Sequence, residues 1–336
     1  MQSMKVQGDR LASIEAFRFV FMLVIVLWHF SRFNPFTHGY VVVDFFFMLS
    51  GFFLFKSYKK NQRNAFAYTV DKVKKFAPEY ILMFFVVFLM KSIIVYKDES
   101  ANVLCTAIPE LLMIQGVGFN TVINTPTWYI SVMLIAGCLI YALLKVQILA
   151  EILLPILVIS IYVYLFHRSP SIETFEKVGL LYLPLLRGFA GMGYGVMISI
   201  LSIRYNLVLE LKYKYVNIFT MLAIAIVLMD LFLPWSFDKY AILSFSMIIL
   251  SCSISKSFLN VYLSSPIWNK LGGITYEMLL SHALIIGVIA KLIRGYYMSL
   301  PVSIMAALLY VCIVLLCSSL LKRFAEVVQR RISNKN

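Results

Sequence analysis

Charge is scarce in this chain. Asp, Glu, Lys and Arg make up only 14% of it, with 16 acidic residues against 30 basic ones. A soluble domain carries about 25% charged residues, so an ordinary soluble fold is excluded. Cysteine is sparse as well. Cys105, Cys138, Cys252, Cys312 and Cys317 fall mostly within apolar runs and share no metal-ligand spacing, which argues against a disulfide framework and against a metal site. Long polar stretches are missing too: the longest connections, 56–75 and 97–127, are too short to fold as soluble domains. Nor is there an internal repeat of the kind that a duplicated five-helix transporter shows.

What is present is apolar. The composition is 61% hydrophobic and the mean hydropathy is +0.87. Runs of about 17–25 apolar residues, enough to cross a bilayer, lie near 12–31, 38–55, 76–96, 128–145, 148–166, 179–203, 216–235, 240–259, 273–293 and 301–321. The first is too long and too polar for a signal peptide and has no small-residue cleavage site after it, so it reads as an anchor. The expected fold class is therefore all-α, a polytopic membrane bundle of about ten transmembrane helices around a polar cavity. A single domain over 1–336 is expected, with short cytoplasmic tails at 1–11 and 322–336.

The net charge of +14 would suit a nucleic-acid partner in a soluble chain. Here 20 of the 30 basic residues fall in alternate connections, chiefly within 56–75, 204–214, 256–270 and 322–335. That asymmetry is the positive-inside pattern. It places both termini in the cytoplasm, makes the bilayer the partner and removes the case for nucleic acid.

The stretch "EAFRFVFMLVIVLWHF" sets Arg18 and His29 into the first run. Eleven helical steps separate them, a rise of about 16.5 Å and a rotation of about 20° beyond three turns. Both therefore project from one helix face. Asp44 in the second span has a depth similar to that of His29, Arg187 is a mid-span charge amid glycines, and Glu277 and His282 lie inside the ninth span. Ionisable groups at such depths are costly in lipid and face a bundle interior, hence the expected cavity.

These residues resemble the acyltransferase-3 family of integral-membrane acyltransferases that modify bacterial surface glycans. Arg18 and His29, preceded by Glu15, are similar to its R-x10-H signature. "VDFFFMLSGFFL" resembles its V-D-x-F-F-x-x-S-G-F segment, and "DKVKKFAPEY" its R-x-x-R-x-x-P-x-Y segment, with Lys72 and Lys75 at the basic positions. "TPTWYI" and "GGITYEMLLSH" look like its later Trp-bearing and His-bearing segments. The lysines keep the charge of the family's arginines without their bidentate fork.

The resemblance implies O-acyl transfer, usually of acetyl from cytoplasmic acetyl-CoA, to a hydroxyl of a glycan or lipid-linked saccharide outside the bacterial cytoplasmic membrane. On that footing Arg18, Lys72 and Lys75 are expected to hold the anionic donor, and no metal is expected. His29 is expected to act as general base, with an acyl-histidine route as the alternative, and Asp44 to orient or stabilise its imidazole. Arg18 also counts as catalytic, as a stabiliser of developing charge. Trp128, His282 and Arg187 are the expected substrate-binding residues. A transporter or flippase of an anionic glycan or lipid is the alternative, with Arg18, Arg187 and His282 as its path.

Overall fold

The computed structural model describes residues 11–30, 33–93, 100–119, 121–146, 148–179, 181–293 and 298–333. Of the basic residues weighed above, Lys5, Arg10, Arg32, Lys97, Arg294 and Lys335 lie outside the described residues, as does the 1–11 tail except for Leu11.

Ten helices of 15 to 34 residues fall on the ten expected segments: α1 (Ala12–Trp28), α2 (Val42–Lys60), α3 (Ala65–Lys91), α6 (Trp128–Leu143), α7 (Leu154–Arg168), α8 (Leu183–Leu211), α9 (Tyr213–Phe232), α10 (Asp238–Cys252), α13 (Thr275–Leu292) and α14 (Leu300–Ser333). The short helices α4 (Ser100–Thr106), α5 (Ile108–Leu111), α11 (Phe258–Tyr262) and α12 (Pro266–Gly272) connect them, with one two-stranded ribbon of β1 (Lys177–Val178) and β2 (Leu181–Tyr182). Seven of the helical stretches are long and apolar enough to cross a membrane. The other three are α1 and α10, of 17 and 15 residues, and α3, whose first turns are charged.

Two boundaries differ from expectation for one reason. The basic segment 56–75 is not a separate surface strip: α2 runs on to Lys60, and α3 starts at Ala65, capped by the Asn64 side chain, and continues through Pro78. Likewise α14 carries the expected 322–336 tail as helix as far as Ser333. Hydropathy falls where charge begins, but Lys, Arg and Glu are good helix formers, so the backbone does not stop there.

α1 is the inner helix, packed against α2, α12 and α13. Phe21 bridges Phe45 of α2 and Phe245 of α10 at ring distances of 4.8 and 5.5 Å, both edge-on, the favoured aromatic arrangement. α2 and α8 cross closely. A Cβ at Gly51 would fall on the Met192 carbonyl oxygen, and one at Gly195 on the Met48 carbonyl oxygen. Each glycine thus seats the other helix's backbone, as small residues do between membrane helices. The outward faces of α7, α9 and α14 present Ile159, Val163, Phe219, Leu222, Leu308 and Leu309, each more than half exposed, which suits contact with lipid.

The connection from α4 to α6 is apolar but folds against α3, α6 and α13 rather than lying free. Its anchor is Glu110, fully buried, whose carboxylate accepts the backbone N–H groups of Val122, Ile123 and Asn124 at 2.8, 2.9 and 2.6 Å. The Tyr80 hydroxyl donates to the Glu110 carbonyl at 2.6 Å, and the Asn124 amide to the Leu280 carbonyl at 2.9 Å. A buried carboxylate is costly alone, and three donors offset that cost. The loop thereby delivers Thr125, Pro126 and Trp128 to the cavity wall.

Candidate functional site

A cavity of about 790 Å³ runs along α1 between α2, α3, α6 and α13. Arg18 and His29 both line it, as their shared face predicts. At one end stand Arg18, Lys72 and Lys75, at the other His29, Tyr40, Trp128, Glu173 and Phe175. Between them the wall is largely apolar, with Met22, Ile25, Leu49, Met133 and Leu279.

His29 closes the C-terminal end of α1. Its Nδ1 lies 2.8 Å from the Ile25 carbonyl oxygen. A carbonyl only accepts, so Nδ1 carries the proton and donates it, which leaves the Nε2 lone pair of the neutral ring available as base or nucleophile. The residue is exposed, while its helix neighbours Val24, Ile25, Val26 and Phe30 are buried, so the ring meets the cavity space. Trp28 packs edge-on against it at 4.9 Å, and the His282 ring stands 5.1 Å away. His282 itself is fully buried. Its Nδ1 donates to the Met278 carbonyl at 3.0 Å, and its Nε2 has no hydrogen-bond partner among the described residues.

Arg18 is pre-oriented. Nη1 reaches both Glu15 carboxylate oxygens at 2.9 Å, and Nη2 donates to Thr275 Oγ1 at 2.9 Å. The Thr275 hydroxyl in turn donates to the Gly272 carbonyl at 2.9 Å. Glu15 offsets part of the arginine's charge, and the remaining guanidinium edge faces a cavity whose mouth holds Lys72 and Lys75. The Lys72 ammonium lies 5.5 Å over the Tyr68 ring and the Lys75 ammonium 5.9 Å over Phe76, contacts of the cation–π kind. Lys72 sits in the first turns of α3, ahead of its apolar run. Burial, then the charges of Lys75 and Arg63, push its ammonium down to about 8.

Asp44 does not reach the imidazole. Its Oδ2 accepts from Arg187 Nε at 3.0 Å and Nη2 at 2.6 Å, and that Nη2 also donates to the Tyr40 carbonyl at 2.9 Å. Both side chains are almost completely buried. Arg187, expected as a substrate ligand, lines the cavity and is paired there with Asp44. Trp128 lines the cavity, packed edge-on against Phe175 at 5.3 Å.

Several cavity residues escaped the reading of the sequence. Tyr129, whose hydroxyl lies 3.3 Å from Ser50 Oγ, Thr275, Glu173 and Phe175 all contribute to the wall. Tyr129 and Thr275 lie inside the quoted motifs "TPTWYI" and "GGITYEMLLSH", which was the available signal. Glu173 and Phe175 belong to the connection before β1, where nothing in the sequence marks them.

No curated protein and no solved structure matches the chain. A family model described as an acyltransferase domain matches residues 11–323, nearly the whole of it. The cavity with its Arg18 and His29 ends is thus the interior of a membrane acyltransferase, and the chain belongs to the acyltransferase-3 family.

Proposed function

We propose that this protein moves an acetyl group from acetyl-CoA, entering at the Lys72 end, to a hydroxyl of a glycan or lipid-linked saccharide arriving at the His29 end. One observation carries the reading: a single cavity that is basic at one end, apolar in the middle and furnished with an available imidazole nitrogen at the other. An anionic nucleotide suits the lysines and Arg18, and a thioester arm suits the apolar middle. His29 Nε2 takes the proton of the acceptor hydroxyl as its oxygen attacks the thioester carbonyl. The C–O bond forms, the C–S bond breaks, and the proton passes to the departing thiolate to give free CoA. Arg18 holds the donor and opposes its charge. Trp128 and Phe175 offer an aromatic face to a sugar ring. The positive-inside bias puts the Lys72 end and both termini in the cytoplasm of a bacterial cell, with the protein in the cytoplasmic membrane.

Purified protein given labelled acetyl-CoA is expected to release CoA thiol at a rate set by added saccharide, and mass spectrometry of surface glycans with and without the gene identifies the acceptor. Glycan export lost with acylation unchanged assigns the cavity to transport instead.

A pH dependence follows from Lys72. Only its ammonium form attracts an anionic donor, and that form is lost as pH rises through about 8. kcat/KM for the donor is expected to fall by about tenfold from pH 7 to 9, as a one-proton titration of the free enzyme does. Lys72→Gln should flatten this limb, and a limb that persists unchanged in the variant removes Lys72 from the donor site.

A further inference from the structure

Behind the cavity wall, at the same end as His29, three residues far apart in sequence meet. His38 precedes α2, Asp230 ends α9 and Asp238 opens α10. One ligand atom from each lies within 4.8 Å of the other two, and all three side chains are buried. His38 Nδ1 is 3.8 Å from Asp230 Oδ1 and 2.8 Å from the Asp230 backbone carbonyl oxygen.

The two carboxylates are unequally satisfied. Asp238 accepts from the Ile172 N–H at 2.7 Å, from Ser236 Oγ at 2.7 Å and from the Tyr40 hydroxyl at 3.4 Å. Asp230 Oδ1 accepts from the Phe237 N–H at 2.7 Å, but Asp230 Oδ2 is buried with no hydrogen-bond partner. Two enclosed carboxylates, one of them with an orphaned oxygen, call for a positive charge between them. No lysine or arginine forms an ion pair with either among the described residues, since Arg187 is committed to Asp44. An imidazole nitrogen, two carboxylates and a carbonyl make a mixed N/O donor set. Separations of 2.8 and 3.8 Å suit neighbouring ligands of one cation bound at about 2.0–2.2 Å.

We infer that His38, Asp230 and Asp238 bind a first-row divalent cation, of the Zn2+ or Mn2+ kind, that clasps α2, α9 and α10 at the His29 end. The imidazole favours such an ion over Mg2+ or Ca2+, and on binding the ion replaces the Nδ1 proton. The clasp reaches the cavity through Tyr40. Its hydroxyl contacts Asp238 and receives the Ser171 hydroxyl at 2.8 Å, its carbonyl holds Arg187, and its side chain lines the wall. No metal is expected from the sequence, in which the spacing of these three ligands does not connect them.

The inference is independent of acyl transfer, because metal content is read without turnover. Full-length protein without a polyhistidine tag, purified in detergent, is stripped with EDTA, dialysed and titrated with Zn2+, Mn2+, Mg2+ or Ca2+. Elemental analysis is expected to find one Zn2+ or Mn2+ per chain, and the unfolding temperature to drop on stripping and recover on adding either ion. Asp230→Asn, which keeps the acceptor for the Phe237 N–H, and His38→Ala should each weaken binding at least about tenfold, while His29→Ala leaves it unchanged. Wild-type protein that takes up no ion and shows the same unfolding temperature with and without EDTA overturns the inference, and the carboxyl pair then shares a proton. Equal affinity for Ca2+ and Zn2+ overturns the assigned ion class, and retention of full stoichiometry in Asp230→Asn overturns the site.

Discussion

His29→Ala is expected to lower kcat for acyl transfer by about 10²–10⁴-fold, the range that a positioned general base contributes, while KM for the donor stays nearly constant. The split follows from position. In the proposed reading the donor's anionic part is held at the Lys72 and Arg18 end, whereas His29 closes the opposite end of α1. Alanine removes the Nε2 lone pair and leaves the lysines untouched. His29→Gln is expected to fail as badly, since an amide hydrogen-bonds at this position but is no base at neutral pH. Steady-state kinetics on purified protein give both parameters, and unfolding temperature confirms that the variants remain folded. A quenched reaction without acceptor separates the two routes: labelled acyl bound to wild type and absent from His29→Ala supports an acyl-histidine, whereas none in either supports the base. Near-normal kcat in His29→Ala refutes both.

Arg187→Ala is expected to be the most destabilising single change at the site, costing about 3–5 kcal/mol, as loss of one partner of a buried ion pair does. It strands the Asp44 carboxylate at zero exposure, with Oδ1 already lacking a partner and Oδ2 losing both of its donors. Arg187→Lys should recover only part of the loss, because an ammonium cannot serve Asp44 and the Tyr40 carbonyl with the same fork. Pairing Arg187→Met with Asp44→Asn should recover more, since the uncompensated charge is then gone. Thermal unfolding in detergent measures all three. The comparison also tests Asp44 as a catalytic group. If it acts on the imidazole, the double variant stays inactive however stable it becomes; if it is a strut, activity returns with stability. An Arg187→Ala protein as stable as wild type is incompatible with the pair as described.

Much of this was legible because a bilayer imposes simple rules. Apolar length marked all ten long helices, and helical periodicity alone put Arg18 and His29 on one wall, where they are found. Helix ends were less legible, since Lys56 and Lys322 end a hydropathy run without ending a helix, and Lys72 precedes one from inside a helix. Partnerships were least legible. Asp44 lies 143 residues from Arg187, and nothing local distinguishes a carboxylate waiting for an imidazole from one destined for a guanidinium. His38, Asp230 and Asp238 were invisible for the same reason. Their proximity depends on how the end of α9 and the start of α10 return beside the segment that leads into α2, which hydropathy does not encode.

The apolar middle of the cavity has one more consequence. A passage with ionic groups at both ends, set in an energised membrane, is a potential short circuit for protons. Water files conduct protons, and a wall stretch that includes Met22, Ile25, Leu49, Met133 and Leu279 is a poor host for such a file, since apolar linings favour dewetting. The same side chains that would accommodate a thioester arm in the proposed reaction therefore also resist a file of water when no arm is there. On this view the cell can keep an acylation conduit open to chemistry at all times without spending its ion gradient on it.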